Sequence, residues 1–258
     1  MAIAIMACMS VGAQDYFEGV VTARSFEKHS KLTIKFSQGT LMNGARDAKL
    51  YVKENKMAVV DDYTNITTIY DPSKGKVFFV FNNINQVIDM PTQNMLNNMS
   101  GALVPQPTDT YIDVLGMKCR LYEASKDGEE SGAKIKQNIQ ILICEELGVH
   151  PDLAPYVSQS TGLPYLGVKY VVDTNTSVPP LIQMNSFIAY DVQDVQRVAV
   201  DDSIFVVPAD YKVVDSADTK KMLGVYKANA KAIKKLKKEK PNEEVAEIKF
   251  DINEDWDF

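Results

Sequence analysis

Residues Lys56–Met90 read KMAVVDDYTNITTIYDPSKGKVFFVFNNINQVIDM, and this stretch indicates the architecture of the chain. Its apolar residues fall into short runs, and residues that favour turns separate the runs, as in Asp71–Gly75. Val77, Phe79 and Phe81 recur at every second position, so a strand formed there keeps one face apolar. The stretch therefore predicts a meander of antiparallel strands joined by turns.

The same pattern continues on both sides of this stretch. In Lys31–Ser37, for example, Leu32, Ile34 and Phe36 alternate with polar residues, which predicts another strand. No long low-complexity spacer divides the runs, so we expect a mainly β (α+β) protein with one continuous sheet. The predicted strands outside the first stretch are Phe17–Phe26, Lys31–Ser37, Ala48–Val52, Tyr111–Ala124, Lys136–Cys144, Val168–Asp173, Leu181–Asp191 and Ile204–Val207.

Two short segments interrupt the strands with a helical pattern. Thr92–Gly101 places Met95, Leu96 and Met99 at helical spacing behind a threonine cap, which predicts a short helix or lid. Pro151–Gly162 predicts a second short helix. Both segments fall within the predicted sheet domain, residues 14–216.

Residues 217–258 differ in character from this domain. Thr219–Lys240 predicts a helix with an apolar stripe on one side and lysines around the rest, and Asn242–Phe258 is acidic. The helix either docks its stripe on the sheet or lies on an anionic membrane surface. The end of the tail, Asp255–Phe258, either adds as a strand to the edge of a partner or folds back on the basic helix.

The N-terminus resembles a signal peptide. Met1–Gly12 is an apolar run that ends in small residues before Gln14, so residues 1–13 are expected to direct export to the periplasm or the cell exterior. No basic residue precedes the run, which indicates that the true start lies further upstream. Cys8 offers a lipid-anchored alternative, which the poor match at Met6 disfavours. No other stretch approaches the ~20 apolar residues of a membrane span.

Removal of the signal peptide would leave two cysteines, Cys119 and Cys144, in an oxidising compartment. They lie in apolar segments on either side of the turn-rich Ser125–Gly132, and antiparallel pairing of those segments would bring the thiols together. The pair is a disulfide candidate, with two buried reduced thiols as the alternative. Neither cysteine has a histidine beside it in sequence, which argues against a thiol nucleophile.

Composition and motifs argue against catalysis and against nucleic-acid binding. The 258 residues carry 28 basic and 34 acidic side chains, a net charge of -6, whereas a general nucleic-acid binder needs a basic face. The two histidines, His29 and His150, are far apart, and no catalytic or phosphate-binding motif is present. Asp61–Asp62 and Asp201–Asp202 lack the spacing of a calcium loop. We therefore expect no enzyme, no metal and no cofactor.

Several segments together resemble a known family: Phe17–Gly19, Lys56–Asp61, Thr68–Asp71, Gly75–Phe78, Gly116–Tyr122, Gly162–Pro164 and Phe205–Lys212. Over about residues 17–214 the chain resembles exported bacterial proteins related to the periplasmic outer-membrane lipoprotein carrier (LolA/LolB-like) superfamily. The resemblance implies an unclosed antiparallel β-barrel, or a strongly curved sheet, around a helical lid, with an apolar concavity that holds acyl chains in the carriers. The basic helix and acidic tail after Ser216 depart from the carrier pattern, which argues against a simple shuttle.

The leading hypothesis is a non-catalytic extracytoplasmic binding protein for a hydrophobic, acyl or other lipid ligand. Its candidate ligand-binding residues, chosen by face and period, are Phe36, Phe79, Phe81, Met95, Leu96 and Met99. The alternative is an envelope structural or protein-interaction module with a filled barrel, which contacts an envelope protein through Thr219–Phe258. An apolar cavity of roughly a few hundred Å³ favours the first hypothesis, and a filled interior favours the second.

Overall fold

The computed structural model describes residues 16–37, 41, 43–93, 103–130, 132–157, 163–178 and 182–239. The predicted signal peptide, with Cys8, and the acidic segment Asn242–Phe258 lie outside the described residues. The same holds for three candidate ligand-binding residues, Met95, Leu96 and Met99, and for most of the predicted lid helix.

The described strands form a single unclosed sheet of twelve strands. They are β1 (Gly19–His29), β2 (Gly44–Lys53), β3 (Lys56–Asp61), β4 (Ile66–Asp71), β5 (Lys76–Phe81), β6 (Gln86–Pro91), β7 (Gln106–Val114), β8 (Met117–Glu130), β9 (Ala133–Gly148), β10 (Tyr165–Val178), β11 (Ile182–Gln196) and β12 (Lys212–Asp215). Their order in the sheet is β12-β6-β5-β4-β3-β2-β1-β11-β10-β9-β8-β7. Neighbouring strands are antiparallel, apart from the parallel pair β12 and β6. The predicted mainly β fold is confirmed.

Eleven of the strands form two meanders, β1–β6 and β7–β11, in which consecutive strands are neighbours, and β12 pairs with β6 at one edge of the sheet. β1 joins them by pairing with β11, from Val20 opposite Gln196 to His29 opposite Ser186. Gly19 begins β1 at this junction with a φ of 153°, and a Cβ atom there would overlap the carbonyl oxygen of Gln196. Because glycine has no Cβ, it permits this close approach of two backbones.

Turn residues with positive φ explain several strand connections. Asn65 and Asn85 end the β3–β4 and β5–β6 turns at φ values of 52° and 51°, a backbone region that asparagine tolerates better than most residues. Leu115 and Gly116 form the two-residue β7–β8 turn at 52° and 78°, as in the type I′ turns that match the twist of antiparallel strands. Local turn chemistry therefore specifies these hairpins.

The prediction of a strand at Lys31–Ser37 is wrong, because Lys31–Phe36 forms helix α1. Ser30 caps this helix, and its side-chain oxygen accepts a hydrogen bond from the backbone N–H of Thr33 at 3.2 Å. The apolar alternation in this segment covers too few residues to distinguish a strand from a short helix.

The predicted strand Ile204–Val207 is also wrong, since Asp202–Phe205 forms a 3-10 helix. The carboxylate of Asp201 caps it by accepting a hydrogen bond from the N–H of Ser203 at 2.8 Å. Phe205 is buried against side chains of β3 to β6. The apolar residues that suggest a strand here instead cover the sheet.

Helix α2 (Ala154–Val157), which follows a 3-10 turn at Pro151–Leu153, shows that the sheet is strongly curved. The hydroxyl of Tyr156 in α2 donates a hydrogen bond to Thr92, directly after β6, at 2.9 Å. β6 and β9 are second and tenth in the sheet order, so a flat sheet would separate them by roughly 38 Å. Residues 151–156 are helical and rise only about 1.5–2 Å each, so the backbone from Gly148 at the end of β9 to Tyr156 spans at most about 22 Å. The two side chains and their hydrogen bond add about 12 Å, which still leaves the total below that separation. The sheet must therefore curl towards α2.

Over β3 to β6 the sheet buries apolar residues on both faces. We call the face that carries Phe79 and Phe81 the front face. Helix α3 (Thr219–Glu239), the predicted C-terminal helix, packs on it with Val225 buried in one cluster with Phe81. On the opposite, back face, Val200 and the 3-10 helix after β11 cover the buried side chains of β3 to β6. Of the two orientations considered for this helix, the structure shows its apolar stripe docked on the sheet.

Cys119 and Cys144 lie directly opposite each other on β8 and β9, and a disulfide joins them. Their Cα atoms are 4.2 Å apart, and both side chains are fully buried. The bridge ties together two strands of the second meander.

Replacing both Cys119 and Cys144 with alanine should lower the free energy of unfolding by about 2–4 kcal/mol, because the bridge restricts the unfolded chain. Urea unfolding measures this change. The wild-type protein should lose the same stability in dithiothreitol, whereas the double variant should not respond to the reductant. An unchanged unfolding midpoint in the double variant would contradict the prediction.

Gly19→Ala should lower the free energy of unfolding by at least about 2 kcal/mol, since the new Cβ overlaps the carbonyl oxygen of Gln196. Gly128→Ala is the matched control, because an added Cβ on Gly128 in β8 meets no atom within 4 Å. We expect that control to change stability by less than about 1 kcal/mol. Equal losses of stability in the two variants would show that the close approach of β1 and β11 does not cause the effect of Gly19→Ala.

Candidate ligand-binding cavity

A cavity of about 280 Å³ lies between helix α3 and the front face of β3, β4 and β5. We call it the α3 cavity. Its volume is close to the lower end of the range for pockets that hold small molecules, roughly 300 Å³. Its lining residues are Arg46, Val59, Asp61, Thr64, Ile66, Thr68, Phe79, Tyr226, Asn229, Ala230 and Ile233.

The register of the strands builds the floor of the α3 cavity. Val59 of β3, Thr68 of β4 and Phe79 of β5 are direct cross-strand neighbours, so their side chains form a row on the front face. Phe79 also packs against two core clusters, one that contains Val77 and one that contains Phe81. Its ring is therefore held in place from both ends of the strand.

Three of the candidate ligand-binding residues, Phe36, Phe79 and Phe81, are described by the structure. Of these three, Phe79 lines the α3 cavity. Phe81 is fully buried, and its ring lies 5.2 Å from that of Tyr226 in a T-shaped contact. Phe81 therefore belongs to the core that holds α3 on the sheet. The segment predicted as a strand around Phe36 is helix α1, and Phe36 is the last residue of that helix.

Helix α3 supplies the opposite wall. Its four lining residues, from Tyr226 to Ile233, are spaced so that they share one side of the helix. Asn229 anchors this wall, because its side-chain oxygen accepts a hydrogen bond from the amide of Asn83 at 3.0 Å and its amide donates to the carbonyl of Thr64 at 3.3 Å. Both partners lie in turns of the first meander, so these bonds set the position of α3 over the sheet.

Charged side chains form one part of the lining. The guanidinium group of Arg46 forms an ion pair with Glu27 and lies 3.5 Å from the carboxylate of Asp61. These side chains are 16%, 15% and 21% exposed, so solvent screens them only partly. Two carboxylates surround one cation, and this polar end of the cavity therefore carries a net negative charge.

Two polar atoms of the lining, Nε of Arg46 and Oγ1 of Thr64, are buried without a hydrogen-bond partner among the described residues. A buried donor or hydroxyl left unsatisfied costs about 1–3 kcal/mol, so such atoms are uncommon in folded proteins. The accessible surface of each atom is below 1 Å², so both lie behind the surface of the α3 cavity and do not open into it.

His29 extends this polar network behind the lining. It is 5% exposed, with Nδ1 2.7 Å from the hydroxyl of Ser186 and Nε2 2.9 Å from the carboxylate of Glu27. In the neutral ring, Ser186 donates to Nδ1 and Nε2–H donates to Glu27. Hydroxyl, imidazole and carboxylate occur in the same order in hydrolase triads, but neither Ser186 nor His29 is among the residues that line the α3 cavity. We therefore assign the three groups the role of satisfying a buried imidazole.

The polar residues of the cavity were not predicted from the sequence. Arg46, Thr64 and Asn229 come from three separate segments, so no local pattern connects them. One signal is present in the sequence, because Asn229 is a polar residue on the apolar side of the predicted helix. Asp61 accepts hydrogen bonds from the N–H groups of Tyr63 and Thr64 in the turn after β3, and it also faces Arg46.

The chain matches no protein-family model and no curated protein. Within the described ranges, no group of three or more His, Cys, Asp or Glu side chains is placed to hold a metal ion. The helices in that part of the chain lack the combination of length and apolar composition that a membrane span needs. The α3 cavity is therefore the candidate functional site.

The burial of His29 should make the stability of the protein depend on pH. Burial lowers the pKa of His29 below the value of about 6.5 in an unfolded chain, and Glu27 beside it is already paired with Arg46. As the pH falls below about 6.5, the unfolded chain binds the proton first, and the stability contributed by the neutral ring is lost as the pH passes through the lower folded pKa. The free energy of unfolding should therefore be smaller at about pH 5.5 than at about pH 7.5.

His29→Gln should reduce this difference, because glutamine does not titrate. His150→Gln is the control, since the side chain of His150 is 36% exposed, and it should keep the wild-type response. Urea unfolding of the three proteins at both pH values measures the effect. A pH response that persists unchanged in His29→Gln would assign it to other groups.

Proposed function

We propose that the protein is a non-catalytic extracytoplasmic binding protein that holds a hydrophobic or acyl ligand in the α3 cavity. The observation that carries the proposal is a space of about 280 Å³ with Ile66, Phe79 and Ile233 in its lining. The predicted signal peptide, residues 1–13, and the resemblance to periplasmic lipoprotein carriers support a periplasmic or secreted location.

Burial of apolar ligand atoms would supply the binding energy. Each methylene group that leaves water contributes about 0.8 kcal/mol, so a short acyl segment gains several kcal/mol. Phe79 is only partly buried, whereas Phe81 two residues later is fully buried. The ring of Phe79 therefore keeps apolar surface that a ligand can cover.

The competing function is an envelope structural or protein-interaction module that uses Thr219–Phe258. It is favoured by the exposed lysines of α3, among them Lys227, Lys231 and Lys234, which offer a basic surface to an acidic partner. This function requires no ligand in the α3 cavity, so a binding experiment separates the two.

Phe79→Ala should weaken the binding of N-phenylnaphthylamine, a small neutral fluorescent probe, by about tenfold or more, because a buried phenyl ring contributes about 1.5–3 kcal/mol. Phe78→Ala is the matched control, since Phe78 packs against the cluster of Ile69 and Val80 on the back face. It should keep the wild-type affinity. Unfolding midpoints establish that both variants are folded.

Ala230→Phe tests the site by adding a ring to the cavity, whereas Phe79→Ala removes one. It fills the α3 cavity from the helix side and leaves the other lining residues in place, so it should abolish probe binding. Native mass spectrometry of protein purified from a bacterial envelope gives a second measurement, with acyl species retained by the wild type and lost from Ala230→Phe. A wild-type protein that carries no ligand and binds no probe would refute the proposal and favour the interaction module.

A further inference from the structure

We propose that the α3 cavity selects an amphiphile whose polar group is uncharged, such as an amide, an ester or an alcohol, over one that ends in a carboxylate. This inference rests on the proposed function and adds the chemical class of the polar group. It follows from the ion pairs at the polar end of the cavity.

Arg46 is the cation of the lining, and Glu27 and Asp61 already pair with it. A ligand carboxylate would therefore be a third negative charge beside one positive charge. Because these three side chains are mostly buried, solvent screens the repulsion only partly, and it either weakens binding or forces the ligand to take up a proton.

The neighbouring titratable groups do not reverse this balance. Tyr226, the remaining ionisable residue of the lining, stays neutral because burial raises its pKa. His29, bonded to Glu27, is also uncharged near neutral pH, because burial lowers its pKa. The polar end therefore has no excess positive charge to balance a ligand carboxylate, whereas an uncharged polar group meets no such repulsion.

The test compares three ligands with the same chain, decanamide, decanol and decanoate, as competitors of N-phenylnaphthylamine on the purified full-length protein. At about pH 8 the decanoate is fully ionised. We expect decanamide and decanol to displace the probe at concentrations at least about tenfold lower than decanoate. Decanoate that competes as well as decanamide or better would overturn the inference and leave the proposed function standing, whereas failure of all three ligands and of the probe would overturn both.

Asp61→Asn tests the charge argument directly. The asparagine keeps an acceptor oxygen for the N–H groups of Tyr63 and Thr64 but removes one negative charge. It should reduce the ratio between the decanoate and decanol concentrations that displace the probe by about tenfold. Glu123→Gln removes an exposed carboxylate on β8 and should leave the ratio unchanged. An unchanged ratio in Asp61→Asn would overturn the inference even if decanamide binds best.

Discussion

The antiparallel pairing of β1 with β11 is the constraint on which the rest of the structure depends. It unites two meanders into one sheet, and it joins segments from opposite ends of the chain, so its formation closes a long loop. Burial of Val21 and Ala23 on β1 and of Val192 on β11 offsets that entropy. Gly19 allows the two backbones to meet where the pairing ends. Without this pairing the two meanders would each expose an unpaired edge.

The polar end of the α3 cavity depends on the same pairing. β1 carries Glu27 and His29, and its partners β2 and β11 carry Arg46 and Ser186. The register of these three adjacent strands therefore sets the ion pair of Arg46 with Glu27 and the hydrogen bond between His29 and Ser186. A shift of either partner by one residue would turn its side chains to the other face and leave buried charges unpaired.

Features that depend on neighbouring residues could be predicted from the sequence, and features that depend on distant contacts could not. The hairpins of β3 to β6 and the docking stripe of α3 follow from local period and turn residues, and so does the position of Phe79 on an apolar face. Helix α1 was not predicted, because a cap at Ser30 outweighs a short alternation. The strand order and the meeting of Arg46 with Thr64 and Asn229 require tertiary contacts that no single segment encodes.

The contact between α3 and the sheet has an apolar part and a polar part, and the two parts affect stability differently. Towards the start of the helix, Phe81 and Val225 are buried in a continuous apolar cluster, which stabilises the fold through close packing. Further along, the same interface contains a cavity, an ion pair and unsatisfied polar atoms at Arg46 and Thr64. Apolar residues of similar size would stabilise this second part at least as well, because buried ion pairs rarely recover their desolvation cost. Stability alone therefore does not account for the polar end, and this is why we propose that a ligand with a polar group binds there.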